Sequence, residues 1–155
     1  MQATDERRRL SLMVDYLFGR GVSKALPEEG FRLVRSRRSG RVKLVFHDGK
    51  LFATVKPNGS MALSFYGVTL LSRSANFKEN YVTVTDEAAE FVQAGKSVFC
   101  KFVTNAGKNV LPKSEVAIVD GKGSILGLGT AVLNGKFINQ FRSGIAVKVR
   151  VGAEG

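Results

Sequence analysis

The sequence predicts an α+β chain in two parts: a helix with an antiparallel meander, then a domain of short strands around one small helix. Three observations predict it. Apolar residues recur at three-four spacing near the start. Asp-Gly and Asn-Gly turns separate alternating segments between residues 31 and 66. Residues 81–103 read as strand, short helix, glycine turn and strand.

In the first part, Thr4 and Asp5 are placed to cap a helix whose Leu10, Met13, Val14, Leu17 and Phe18 share a face, and Gly19 and Gly21 end it. Phe31 and Leu33, then Val42, Leu44 and Phe46 beyond the Arg38-Ser39-Gly40 turn, alternate with basic residues. One sheet face should therefore be apolar and the other carry Arg32, Arg41 and Lys43. The turns His47-Asp48-Gly49-Lys50 and Pro57-Asn58-Gly59-Ser60 connect strands over residues 51–55 and 61–66, and residues 68–71 add a helical turn. The polar stretch 72–80 carries the boundary, giving domains 1–78 and 79–155.

In the second part, residues 81–85 alternate around two valines, and Asp86 caps a helix with Ala88, Phe91 and Val92 on its apolar face. Gly95 stops that helix, and Val98, Phe99, Phe102 and Val103 resume as a buried strand. At Gly95-Lys96-Ser97 the missing Cβ lets a phosphate or ribose approach the backbone, with a lysine and a hydroxyl beside it. Gly95 reads equally as a plain helix stop with solvated neighbours. Gly121-Lys-Gly-Ser and Gly127-Leu-Gly-Thr lack the spacing of a nucleotide-phosphate loop and read as strand turns and bulges.

At 155 residues and 44% hydrophobic, the chain can bury one good core or two small ones. Its net charge of +11 favours polyanions, either nucleic acid or an anionic membrane face. Residues 1–78 hold 15 basic and 6 acidic side chains, net +9, against 9 and 7, net +2, in residues 79–155. Arg7-Arg8-Arg9 leads into no secretory-type apolar core and no run reaches membrane-span length, so the expectation is a soluble, cytoplasmic protein. Cys100, the single cysteine, reads as an inert strand thiol, and the single histidine, His47, as a solvated turn residue. Together they make neither a metal site nor a triad, and no cofactor is expected. The arginine-rich run Arg32, Arg35, Arg37, Arg38, Arg41 and Lys43 has few acidic neighbours, and reads as a solvated face or as an RNA-backbone contact. Lys148 and Arg150 are a weaker addition, since the valines of that strand match core alternation and its charges fit a water-facing side.

The run from Val82 to Val103, with its Asp-Glu-Ala-Ala helix, Ala-Gly-Lys-Ser-Val-Phe turn and Lys-Phe-Val strand, resembles the PUA domain, a small β-barrel that binds RNA. Ala117-Ile-Val-Asp-Gly, Gly127-Leu-Gly-Thr-Ala and Gly144-Ile-Ala-Val-Lys-Val-Arg fit its remaining strands in order. Upstream, Asp15, Tyr16, Phe18, Gly19, Gly21, Lys24, Ala25 and Leu26 are similar to the Asp-Tyr-x-Phe-Gly-x-Gly stretch that precedes PUA in archaeosine tRNA-guanine transglycosylases. Residues 34–42 and 48–57 look like the small α+β domain of those enzymes. The resemblance implies a small α+β domain followed by a PUA-like β-barrel, in an archaeal, cytoplasmic setting.

It further implies a noncatalytic RNA-binding protein: a tRNA-binding accessory subunit, or a split C-terminal half of an archaeosine-type tRNA-modifying enzyme, whether transglycosylase or archaeosine synthase. RNA would be held at Gly95, Lys96, Ser97, Val98, Phe99 and Lys101, helped by Arg32, Arg35, Arg37, Arg38, Arg41, Lys148 and Arg150. A separate catalytic transglycosylase subunit would be the protein partner. The catalytic aspartates and cysteine-rich zinc site of those enzymes have no counterpart in this sequence. A different class of function, a ribosome or ribonucleoprotein assembly factor using PUA as a general RNA grip, fits the same residues.

Overall fold

The computed structural model describes residues 2–153, and the chain divides after Phe77 into two compact units. In the first unit, α1 (Gln2–Phe18) starts upstream of the expected caps, so Thr4 and Asp5 lie inside the helix. Asp5 is in the first turn, where its charge complements the helix dipole. Leu10, Val14 and Phe18 repeat every fourth residue and are buried, each contributing about 1.5–3 kcal/mol of transfer free energy. Met13 and Leu17 flank that stripe, half-buried. Asp15 holds the chain after the helix: its carbonyl accepts from Gly19 N at 3.0 Å and its Oδ1 from Ser23 N at 2.8 Å.

Four antiparallel strands follow in meander order: β1 (Phe31–Arg35), β2 (Val42–His47), β3 (Lys50–Val55) and β4 (Met61–Leu63). Simple alternation fails in β2. Val34 pairs with Leu44 but Arg35 with Val42, so Lys43 bulges out and reverses the facing of all that follows. Val45 and His47 turn into the core, while Leu44 and Phe46 are only half-buried. Asp48 (φ 48°) and Gly49 (φ 81°) both take positive φ, as a two-residue hairpin turn requires.

His47 is not the solvated turn residue its neighbours suggest. The Lys43 bulge places it 6% exposed, with Nδ1 2.6 Å from the Tyr66 hydroxyl and Nε2 3.0 Å from the Glu29 carbonyl. The fourth strand is also shorter than expected. Ser64 Oγ accepts from Gly67 N at 2.9 Å and caps α2 (Phe65–Leu71), so Phe65 and Tyr66 are helical rather than extended.

In the second unit, six strands take the order β6-β10-β9-β8-β5-β7. They are β5 (Tyr81–Val84), β6 (Val98–Phe99), β7 (Val103–Ala106), β8 (Glu115–Val119), β9 (Ile125–Ala131) and β10 (Ile145–Gly152). The pairing of β5 with β8 is parallel and the others are antiparallel. The expected continuous strand from Val98 to Val103 is broken by the 3-10 turn Cys100–Phe102. Those three residues connect β6 at one edge of the sheet to β7 at the other, so the sheet curls into a nearly closed barrel.

Val84, Val98, Val116, Ile118, Ile138 and Val147 fill the barrel, and α3 (Asp86–Gln93) adds Ala88 and Val92 to the same core. Thr85, not Asp86, occupies the N-cap of α3, and Asp86 sits in its first turn. In β9, a Cβ on Gly129 would collide with the backbone of Lys148, so glycine there allows β9 and β10 to approach.

Candidate nucleic-acid interface

On the second unit the site begins at the end of α3. Lys96 N donates to Phe91 O at 2.8 Å and Gly95 N to Val92 O at 2.9 Å, the paired bonds of a Schellman ending. Gly95 (φ 86°) supplies its left-handed residue, and nothing lies within 4 Å of where a Cβ would stand, so the corner is open to solvent. From that corner the chain runs along a cleft of about 340 Å³. Lys96, Ser97, Val98, Phe99 and Lys101 all line it.

Phe91 and Phe102, which residue patterning assigned to helix and strand cores, line it as well. Phe91 and Phe99 are each 46% exposed. Lys96 Nζ stands 5.6 Å from the Phe91 ring centre and Lys101 Nζ 5.0 Å from that of Phe102. Exposed π-faces beneath lysines can stack bases and pair phosphates. Val98 is 1% exposed and forms floor rather than rim.

The arginines of the first unit are disposed less uniformly. Arg37 and Arg38 stand exposed in the β1–β2 loop, and Lys43 is exposed on its bulge. Arg32 lies over the Phe46 ring at 5.1 Å, a contact created by the bulge that turned Phe46 outward. Arg35 donates to Gly40 O at 3.2 Å, and Arg41 to Val55 O at 3.3 Å. These bonds orient the guanidinium groups and leave other N–H donors directed at solvent.

Comparison with known proteins follows the same division. Residues 80–152 match the family model for the PUA domain, and residues 8–78 that for the patch-forming domain C2 of tRNA-guanine transglycosylase. This chain is a C2 domain followed by a PUA domain. It is 35% identical over 150 residues to the tRNA-guanine(15) transglycosylase of Thermoplasma volcanium, covering 94% of this chain and 23% of that protein. It is also 35% identical over 149 residues to that of Thermococcus onnurineus, covering 96% and 25%. The chain thus spans about a quarter of the length of these relatives.

Among solved structures, a hypothetical protein of Pyrococcus horikoshii superposes with a TM-score of 0.74 at 18% identity, covering 99% of this chain and 93% of that one. A PUA domain protein of Aeropyrum pernix superposes at 0.71 with 17% identity, covering 99% and 84%. At such identities the likeness is one of fold.

The two cations of the last strand differ in their surroundings. Lys148 is exposed, but Arg150 Nη1 lies 2.8 Å from both carboxylate oxygens of Glu115, which is buried. Arg150 Nη1 thus ties β10 to the carboxylate at the start of β8, an ion pair that the sequence did not reveal. Cys100 belongs to the 3-10 turn, 2% exposed, and burial raises its thiol above the ordinary pKa while a local backbone hydrogen bond offsets part of the rise. Among the described residues no group of three or more His, Cys, Asp or Glu could hold a metal ion, and no helix is long and apolar enough to cross a membrane.

Proposed function

We propose that the protein is an RNA-binding module whose PUA cleft grips structured RNA, tRNA above all, while the C2 arginines neutralise the backbone. The observation that carries this is the cleft itself. Two lysines and three exposed or half-exposed phenylalanines converge within nine residues of lining, on either side of the Gly95 corner in the chain. Such a cleft suits the shallow minor groove and end of a stem, where 2′-hydroxyls, phosphates and terminal bases are all within reach. Gly95, Lys96, Ser97 and Lys101 take the backbone, and Phe99 with Phe91 and Phe102 takes base faces. Arg32, Arg35, Arg37, Arg38, Arg41 and Lys148 supply nonspecific attraction.

The similarity to archaeal tRNA-guanine(15) transglycosylases supports a role as the tRNA-holding part of an archaeosine-type enzyme; a cytoplasmic location and a separate catalytic subunit that carries out the base exchange belong to our proposal. On this reading the protein itself is not an enzyme.

The deciding experiment is crosslinking of the tagged protein in its native cells, followed by sequencing of the bound RNA and identification of copurifying proteins. Enrichment of tRNA acceptor ends together with a transglycosylase catalytic subunit is the expected result. Ribosomal RNA in place of tRNA would replace the reading with that of an assembly factor.

A further inference from the structure

A hollow of about 400 Å³ in the C2 domain opens between α1, the β1–β2 loop and the β3–β4 turn. Its floor is apolar, made by Met13 from the helix with Val42 and Val55 from the sheet. Four cations rim it: Arg9, Arg35, Arg41 and Lys56. Gly40 and Gly59 form the lip, with nothing within 4 Å of a Cβ position on either, so entry is unobstructed. Arg41 is held in place by the Val55 and Val42 carbonyls at 3.3 and 3.4 Å. A second hollow of about 230 Å³ shares Arg9 and Arg35 and adds Asp5 and Glu6. The pair of hollows therefore has a direction, with carboxylates at one end, Arg41 and Lys56 at the other, and two arginines common to both.

We propose that this hollow seats one unstacked nucleotide of an RNA single strand, its base on the Met13 floor and its phosphate between Arg41 and Lys56. The inference rests on the RNA-binding reading above and deepens it. A backbone contact needs only cations, whereas an apolar floor beneath guanidinium groups gains energy from a base face. The phosphate makes charge-assisted hydrogen bonds at the purely cationic end. Asp5 and Glu6 repel a second phosphate at the other end, which limits the seat to a single nucleotide. Arg9 and Lys56 did not stand out in the sequence because they come from different elements and converge only when α1 packs on the sheet.

The protein contains no tryptophan, so Met13→Trp places a single fluorescent reporter at the floor. The full chain is titrated with a short single-stranded polyadenylate and, separately, with an RNA duplex of equal length, following tryptophan emission and the anisotropy of a labelled strand. The single strand is expected to quench the reporter while the duplex binds without quenching. On the wild-type floor, Lys56→Glu is expected to weaken the single strand about tenfold and the duplex much less. The proposal is overturned if the single strand binds with the reporter unmoved, or if Lys56→Glu weakens both RNAs alike. If neither RNA binds the unaltered protein, the RNA-binding reading itself falls, and this seat with it.

Discussion

Arg150 and Glu115 join β10 to β8 across the intervening strand, with a single guanidinium nitrogen 2.8 Å from each carboxylate oxygen. Glu115 keeps 5% of its side chain in solvent and Arg150 32%. A carboxylate so enclosed is sensitive to its partner, because removing the cation takes away the 2.8 Å ion pair of a largely desolvated charge. Arg150→Met should cost about 2–3 kcal/mol in urea unfolding, less than for a fully enclosed pair because Arg150 is partly solvated. Below the unfolding transition the same variant should leave the salt dependence of tRNA binding unchanged. Lys148→Ala should lower the magnitude of that slope by about 1. Equal slopes for the two variants would return Arg150 to the RNA surface.

The cleft separates stacking from charge. Phe91 is half out of solvent, and its truncation removes little core, so Phe91→Ser should change stability by less than about 1 kcal/mol. Loss of a base-stacking face should nevertheless weaken RNA binding by about 1–3 kcal/mol, with the salt slope intact. Lys96→Ala and Lys101→Ala should do the reverse, reducing the slope while preserving more of the affinity at low salt. Anisotropy titrations at several salt concentrations distinguish these outcomes.

What could be read from the sequence was whatever depends on local chemistry. Asp48-Gly49 and the Gly95 helix ending are determined by backbone preferences carried within a few residues, and both appear where expected. The Lys43 bulge is different, since nothing local distinguishes an inserted residue from an alternating one, yet it sets the facing of Leu44 through His47. Ser64 is similar: its hydroxyl can pack on the Leu51 carbonyl and cap α2 only after β3 and β4 have paired. In the site, the cleft lysines were legible beside their glycine. The outward turn of Phe91 was not, because helical spacing places it next to Val92 and says nothing about which flank of the stripe the barrel covers.

His47 and Tyr66 give a prediction about the imidazole tautomer. A carbonyl can only accept, so the 3.0 Å contact with Glu29 O requires hydrogen on Nε2. In the neutral ring with that tautomer, Nδ1 accepts from the Tyr66 hydroxyl at 2.6 Å. Nitrogen chemical shifts should report the Nε2–H tautomer for the neutral ring. Tyr66→Phe leaves the buried Nδ1 without its donor and should cost about 1–3 kcal/mol, measured by thermal or urea unfolding. A rapidly exchanging mixture of tautomers in the wild-type protein would show that the ring is not held as described.

Cys100 ties stability to alkaline pH in a direction that can be worked out. Burial disfavours the thiolate, so the folded thiol titrates above its ordinary value of 9.0. Between that value and the raised one, the unfolded chain has lost the proton and the folded chain keeps it, so the native state binds more protons and stability falls as pH rises. Below pH 9 the term is constant and the thiol stays protonated, making alkylation of the native protein slow. Cys100→Ala should be less stable at neutral pH, because it opens a small cavity in the barrel, but its stability should decline less steeply above pH 9. Urea unfolding of both proteins from pH 7 to 10 measures the two slopes. If they coincide, the alkaline loss belongs to other groups and Cys100 does not contribute to it.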